Sequence, residues 1–237
     1  MLTNIFQAFE RTCISCTYKE HINMPIDETL TLGKFLNASA NIYISLISYL
    51  KSIPEFHQLS MNNKLSLIKS NLNQNFRIHS TFLMQVVTPD LGKDSPVFLH
   101  VFPENIYRDI CTTSNVLIPF VHDPILIKLF IIVLMFSTHM YVNYEQNHIN
   151  IDNQDSIRNI LQGQNIYTDL LWRYILSRCA NYRQSVQLFS SFITRTLYSQ
   201  LVQVKINNFI HRNLPNSSQS LAPIIQSIWN SEKKDCC

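Results

Sequence analysis

Eight histidines and six cysteines are the groups of this chain best suited to hold a metal or to act as acid, base or nucleophile. Their spacing offers little of either. His21, His57, His79, His100, His122, His139, His148 and His211 show no pair at ligand spacing, and no HExxH, GxSxG or glycine-rich phosphate loop occurs. Cys13 and Cys16 make a lone CxxC without a second pair at zinc spacing. Cys111 or Cys179 with a distant histidine leaves a nucleophilic pair open, although a buried structural cysteine is the plainer reading of each. The expectation is a protein that is no enzyme and holds no metal or cofactor. The cations say more. Lys51 and Lys69 flank a turn between two apolar helices, a way to build a hydrophobic groove with a positive rim. Arg77 lies in an apolar stretch. If buried it needs a carboxylate or phosphate, from a ligand or a protein acid; otherwise it points to solvent.

The elements that hold those lysines can be read directly. Ile44, Ile47, Tyr49 and Leu50 give one helix its apolar side; Leu65, Leu67, Ile68 and Leu72 supply the next. Pro54 cannot continue a helix and pushes Ile53 out of the α region, so the chain turns between them.

Composition bounds the rest. At 237 residues with 46% hydrophobic residues the chain can bury a sizeable core, and no linker or charge run divides it, so one domain is expected over residues 1–237. Charged residues are 15%, against about a quarter in typical domains, so Asn, Gln, Ser and Thr must make up much of the surface. Only 3 glycines occur, too few for β-sandwiches, dinucleotide folds or phosphate loops. A net charge of +3 without a basic run makes no case for nucleic acid. No signal peptide is read at residues 1–9, so the thiols are expected to be free and the Asn-x-Ser sites at Asn37 and Asn216 to carry no meaning. The most apolar run, residues 124–136, is shorter than a membrane span and contains Lys128; it reads as a helix buried on nearly all sides.

Along the chain, helices are expected at 5–16, 27–52, 61–87, 105–115, 123–141, 155–179, 183–212 and 221–229. Asp123 is placed as N-cap and Pro124 in the first turn of the buried helix. Pro89, Gly92 and Pro96 break the helical period, and the β-favouring run 97–102 suggests a short strand or hairpin. Residues 143–153 and 214–220 read as loops, and 230–237 as a flexible tail.

The stretch 50–69, LKSIPEFHQLSMNNKLSLIK, closely resembles the signature of the nuclear receptor ligand-binding domain, roughly AKxIPGFxxLxxxDQxxLLK. The segment Leu221-Ala222-Pro223-Ile224-Ile225-Gln226-Ser227-Ile228-Trp229 resembles that family's terminal activation helix. In motif the chain is nearest to the peroxisome-proliferator-activated and Rev-erb-like receptors. The resemblance implies an all-α, three-layer antiparallel sandwich of about ten to twelve helices with one short β-hairpin. It implies a transcription regulator of the nucleus (and cytoplasm). Such a protein recruits coactivator or corepressor helices, forms a homo- or heterodimer through the helix at 183–212, and binds a small lipophilic ligand. The alternative is a ligand-independent dimerisation and interaction module whose pocket is filled by its own side chains; 14 Phe and 10 Tyr are enough for that. The family's zinc-bearing DNA-binding module has no counterpart here, so no direct DNA or membrane binding is expected.

Transferred by position, the coregulator groove has Ile47, Met61, Leu65, Ile224 and Ile228 as its floor, Lys51 as clamp for the partner helix's C-terminal carbonyls, and Lys69 on the rim. Asn63 and Lys64 stand where the family has Asp-Gln, Glu55 replaces the turn's Gly, and Ser227 replaces the clamping Glu. A serine adds no charge at the partner's amide end, so a weak or atypical coactivator response is expected. The implied ligand pocket is Phe35, Ser39, Ile42, Phe76, Arg77, Ser80, Phe98 and Val204. The ending Cys236-Cys237 resembles the geranylgeranylated terminus of Rab-family GTPases, but without a GTPase body it reads as incidental.

Overall fold

A computed structural model of the chain describes residues 15–87, 96–137, 154–214 and 221–229. Among these residues all regular structure is helical. In chain order the helices are α1 (Ser15–Ile22), α2 (Leu32–Ala38), α3 (Ala40–Lys51), α4 (Pro54–Gln58), α5 (Met61–Val87), α6 (Pro96–Val101), α7 (Glu104–Val121), α8 (Pro124–Met135), α9 (Gln154–Arg178), α10 (Tyr182–Asn213) and α11 (Pro223–Trp229).

The central helix is α8. Its residues 126–132 are all buried, Lys128 included, and α8 packs against both α5 and α9. Its start is built as expected: the Asp123 carboxylate accepts from the Leu126 amide at 3.1 Å, and Pro124 occupies the first turn. It stops at Met135, short of the 141 expected. Asn71 of α5 donates from Nδ2 to the carbonyls of Met135 and Ser137 at 3.0 and 2.9 Å, supplying partners for the orphan end of the helix. Around α8, α10 packs on α7, α9 and α5, α3 lies on α5, and α11 rests on α3. A ring stack of Phe120, Phe192 and Phe130, with centroids 4.5 and 3.9 Å apart, joins α7, α10 and α8. Among the described residues no single helix is long and apolar enough to cross a membrane.

Three expected elements are corrected. The strand or hairpin at 97–102 is helix: α6 covers 96–101. Pro96 is compatible with a first helical turn, and the helical period sets Phe98 and Phe102 together against Phe35, at 5.1 and 5.5 Å. The long helix at 27–52 is a turn followed by two helices. Asp27 accepts from the Thr29 amide at 2.8 Å in a local turn, Thr31 caps α2, and the Ser39 hydroxyl donates to the Leu36 carbonyl at 2.9 Å where α2 gives way to α3. The helix expected at 105–115 runs over 104–121 through Pro119. Near that proline Arg195 donates from Nη1 to the Val116 carbonyl at 2.8 Å, tying α10 to α7. The helix expected at 5–16 lies outside the described residues except for its last two. The loop at 143–153, nearly all of that at 214–220 and the tail at 230–237 also fall outside them.

Gly163 sets how closely α9 approaches α8. A Cβ there would lie 2.7 Å from Cε1 of Phe136, whose ring is fully buried with Phe56 and Tyr167 rings 6.2 and 6.1 Å away. Overpacking of this kind costs about 1–3 kcal/mol, and the gain in helix propensity over Gly offsets about 1 kcal/mol. Gly163→Ala is therefore expected to lower stability by about 1 kcal/mol in a denaturant titration. A variant as stable as wild type would show that Phe136 is free to move aside.

Candidate functional site

The turn after α3 is shaped as its residues demand. Ile53 is extended (φ −80°, ψ 119°), Pro54 opens α4, and the Ser60 hydroxyl accepts from the Asn63 amide at 3.3 Å to begin α5. The turn is then tied to the body from α9: the Tyr167 hydroxyl donates to the Glu55 carboxylate. Two turns further along α9, Tyr174 reaches both Asp123 carboxylate oxygens at 2.8 and 2.9 Å. Burial and the carboxylate acceptor together push both tyrosines well above the ordinary phenol range. The role of Glu55 thus depends on a partner 112 residues away that no local pattern announced.

α3, α5 and α11 each turn apolar side chains outward. Met61 is 69% exposed, Leu65 47% and Ile44 47%; Ile47, Ile68, Ile224 and Ile228 are half-buried. Lys51 and Lys69 are exposed, at the end of α3 and within α5. Lys64 differs from them: its Nζ donates to the His57 carbonyl at 2.6 Å, closing the C-terminal end of α4. The Ser227 hydroxyl donates to the Ile224 carbonyl of its own helix at 2.8 Å. The groove residues expected from sequence therefore lie on three helices linked through α3, with Lys64 engaged by the backbone.

Behind α3 is a cavity of about 70 Å³. Phe35, Ser39, Phe76, Arg77, Ser80 and Phe98 line it; Ile42 is buried elsewhere and Val204 is half-buried off its wall, with Tyr43, Gln203 and Ile206 in the lining instead. His21, Leu36, Phe102, Ile110, Ile210 and Trp229 complete the part that sequence reasoning did not single out. Tyr43 and Phe76 stack at 4.1 Å, one from α3 and one from α5, so the rings that line the space also narrow it. Arg77 is buried rather than solvent-directed and donates from Nε to Oε1 of Gln203 at 3.3 Å. Small-molecule sites usually begin at about 300 Å³. This space has room for a few waters. Among the described residues no group of three His, Cys, Asp or Glu side chains gathers as a metal site would require.

No family model matches the chain, and none of the curated proteins matches it.

His21, on the cavity wall, and His79, on α5, are almost wholly buried, and desolvation lowers each to about 4. The unfolded chain takes up those protons near the ordinary value of 6.5. Between the two values the unfolded state binds more protons, so stability is full above the upper one, falls with decreasing pH and levels off below the lower. The slope is about 1.4 kcal/mol per pH unit for each histidine. A denaturant series across this window is expected to show that loss, and His79→Gln to remove about one proton's share of the slope. An unchanged slope in the variant would contradict this.

Proposed function

We propose that this chain is a regulatory domain of the nuclear-receptor ligand-binding type. In this reading it has three helical layers with α8 in the middle, and it controls transcription in the nucleus by receiving the helices of coregulators. One observation carries the reading: Ile44 on α3, the helix on which α11 rests, and Met61 and Leu65 on α5, which packs against α3, are exposed apolar side chains, and Lys51 and Lys69 on the same two helices are exposed. An amphipathic helix laid there would bury its apolar face, and Lys51 would meet its unpaired C-terminal carbonyls. An exposed apolar surface is itself unfavourable in water, which argues for a partner. The small cavity favours the ligand-independent form of this reading over control by a lipophilic ligand.

Titration of an LxxLL peptide tests it. The wild type is expected to bind weakly, and Met61→Asp or Lys51→Ala to weaken binding about tenfold, or about 1.4 kcal/mol. Ser227→Glu restores a charge at the partner's amide end, which is expected to add about 0.3–1 kcal/mol, roughly two- to fivefold in affinity. Equal peptide affinity for wild type and Met61→Asp would end the groove reading; no gain in Ser227→Glu would end the account of the missing charge.

The same reading places a dimer contact on α10, where Val186, Leu197, Tyr198 and Leu201 are exposed large apolar side chains. Leu197→Glu with Leu201→Glu is expected to shift sedimentation velocity from dimer to monomer. A monomeric wild type would remove this surface from the proposal.

A further inference from the structure

Hydroxyls on these helices commonly bond one turn back along their own chain. Thr81, Thr112, Thr113, Ser137, Ser185 and Thr194 each donate to the carbonyl four residues earlier, at 2.8 to 3.3 Å. Thr196 and Ser199 of α10 do not. Both side chains are wholly buried, and neither hydroxyl finds a partner among the described residues. Two amide oxygens share their position. Gln74 of α5 donates from Nε2 to the Thr196 carbonyl at 3.4 Å, which sets its head against that turn of α10, while its Oε1 is buried without a partner. Oε1 of Gln200 is likewise buried and unbonded, and Gln200 follows Thr196 by one helical turn, on the same side of α10.

The chemistry of these four oxygens selects what can sit among them. Gln74 and Gln200 offer acceptors; the two hydroxyls both donate and accept. No Asp or Glu occurs in α5 or α10, so a cation buried here has no counter-charge on either helix. An anion meets two amide oxygens, and an apolar group leaves all four atoms unbonded. A small neutral molecule that donates and accepts fits. The seam also adjoins the cavity: Arg77 and Gln203, joined at 3.3 Å, line that space and stand one turn beyond Gln74 and Gln200.

We propose that the α5–α10 seam is a built water site, in which about two internal water molecules, each with about three hydrogen bonds, bridge Gln74, Thr196, Ser199 and Gln200. The waters take the bonds that Thr196 and Ser199 do not make along their own helix, and they join α10 to α5. The adjoining cavity, about 70 Å³ in volume, is the side from which they enter. The site does not rest on the groove reading above.

Magnetic relaxation dispersion of the water oxygen-17 nucleus, measured on the full chain, counts long-lived internal waters and does not respond to exchanging hydroxyl protons. Thr196→Val with Ser199→Ala removes both hydroxyls. This double variant is expected to lose about two long-lived waters relative to wild type, with any cavity waters common to both. Thr196→Val alone, which keeps the shape of the side chain, is expected to lower the urea midpoint, because a bond to bound water is lost. In a dry seam the same change removes a stranded hydroxyl and raises the midpoint. An equal water count in wild type and double variant, or an unchanged or raised midpoint for Thr196→Val, would overturn the proposal. The single variant decides the matter even if the double variant fails to fold.

Discussion

The architecture depends on hiding α8. Almost every side chain of this helix is apolar, and each Leu, Ile or Phe contributes about 1.5–3 kcal/mol when fully buried. A helix apolar on all sides has no solvent face, so other elements must cover it. The concessions of its neighbours follow from that. α5 presents Asn71 to the end of α8, so the carbonyls there are not left bare. Along α9, Gly163 stands where the Phe136 ring needs room, and Tyr174 ties α9 to the Asp123 that starts α8.

The second constraint is polar. α5 buries Asn71, Asn73, Gln74, Asn75, Arg77 and His79, and α10 faces it with Thr196 and Ser199. Some of these groups pair, as Gln74 does with the Thr196 carbonyl at 3.4 Å, while both polar atoms of Asn75 and the Thr196 and Ser199 hydroxyls have no partner. Unpaired buried polar atoms cost about 1–3 kcal/mol each unless water reaches them. The cavity lies against the same two helices, lined by Phe76 and Arg77 from α5 and Gln203 and Ile206 from α10.

α3 and α5 border the cavity and also carry exposed apolar side chains. α3 contributes Tyr43 inward and Ile44 outward; α5 contributes Phe76 inward and Met61 outward. α11 repeats the pattern, with Ile225 and Trp229 inward and Ile224 and Ile228 at the surface.

The sequence by itself determined what depends on local period and backbone chemistry. The apolar run at 124–136 announced the buried helix, Asp123 and Pro124 its start, and Pro54 the turn that sets Lys51 and Lys69 at neighbouring helices. Of the residues named from the family resemblance, Phe35, Ser39, Phe76, Arg77, Ser80 and Phe98 border one small cavity and Ile42 and Val204 do not. Only the tertiary structure decided the rest. The β propensity of 97–102 yielded to a helix because Phe98 and Phe102 pack on Phe35. Glu55 found Tyr167, Lys64 found the His57 carbonyl, and Trp229 closed a wall built by distant helices. These are contacts between residues far apart in the chain or between a side chain and another helix's end. Their partners are chosen by packing, and no spacing within one segment encodes it.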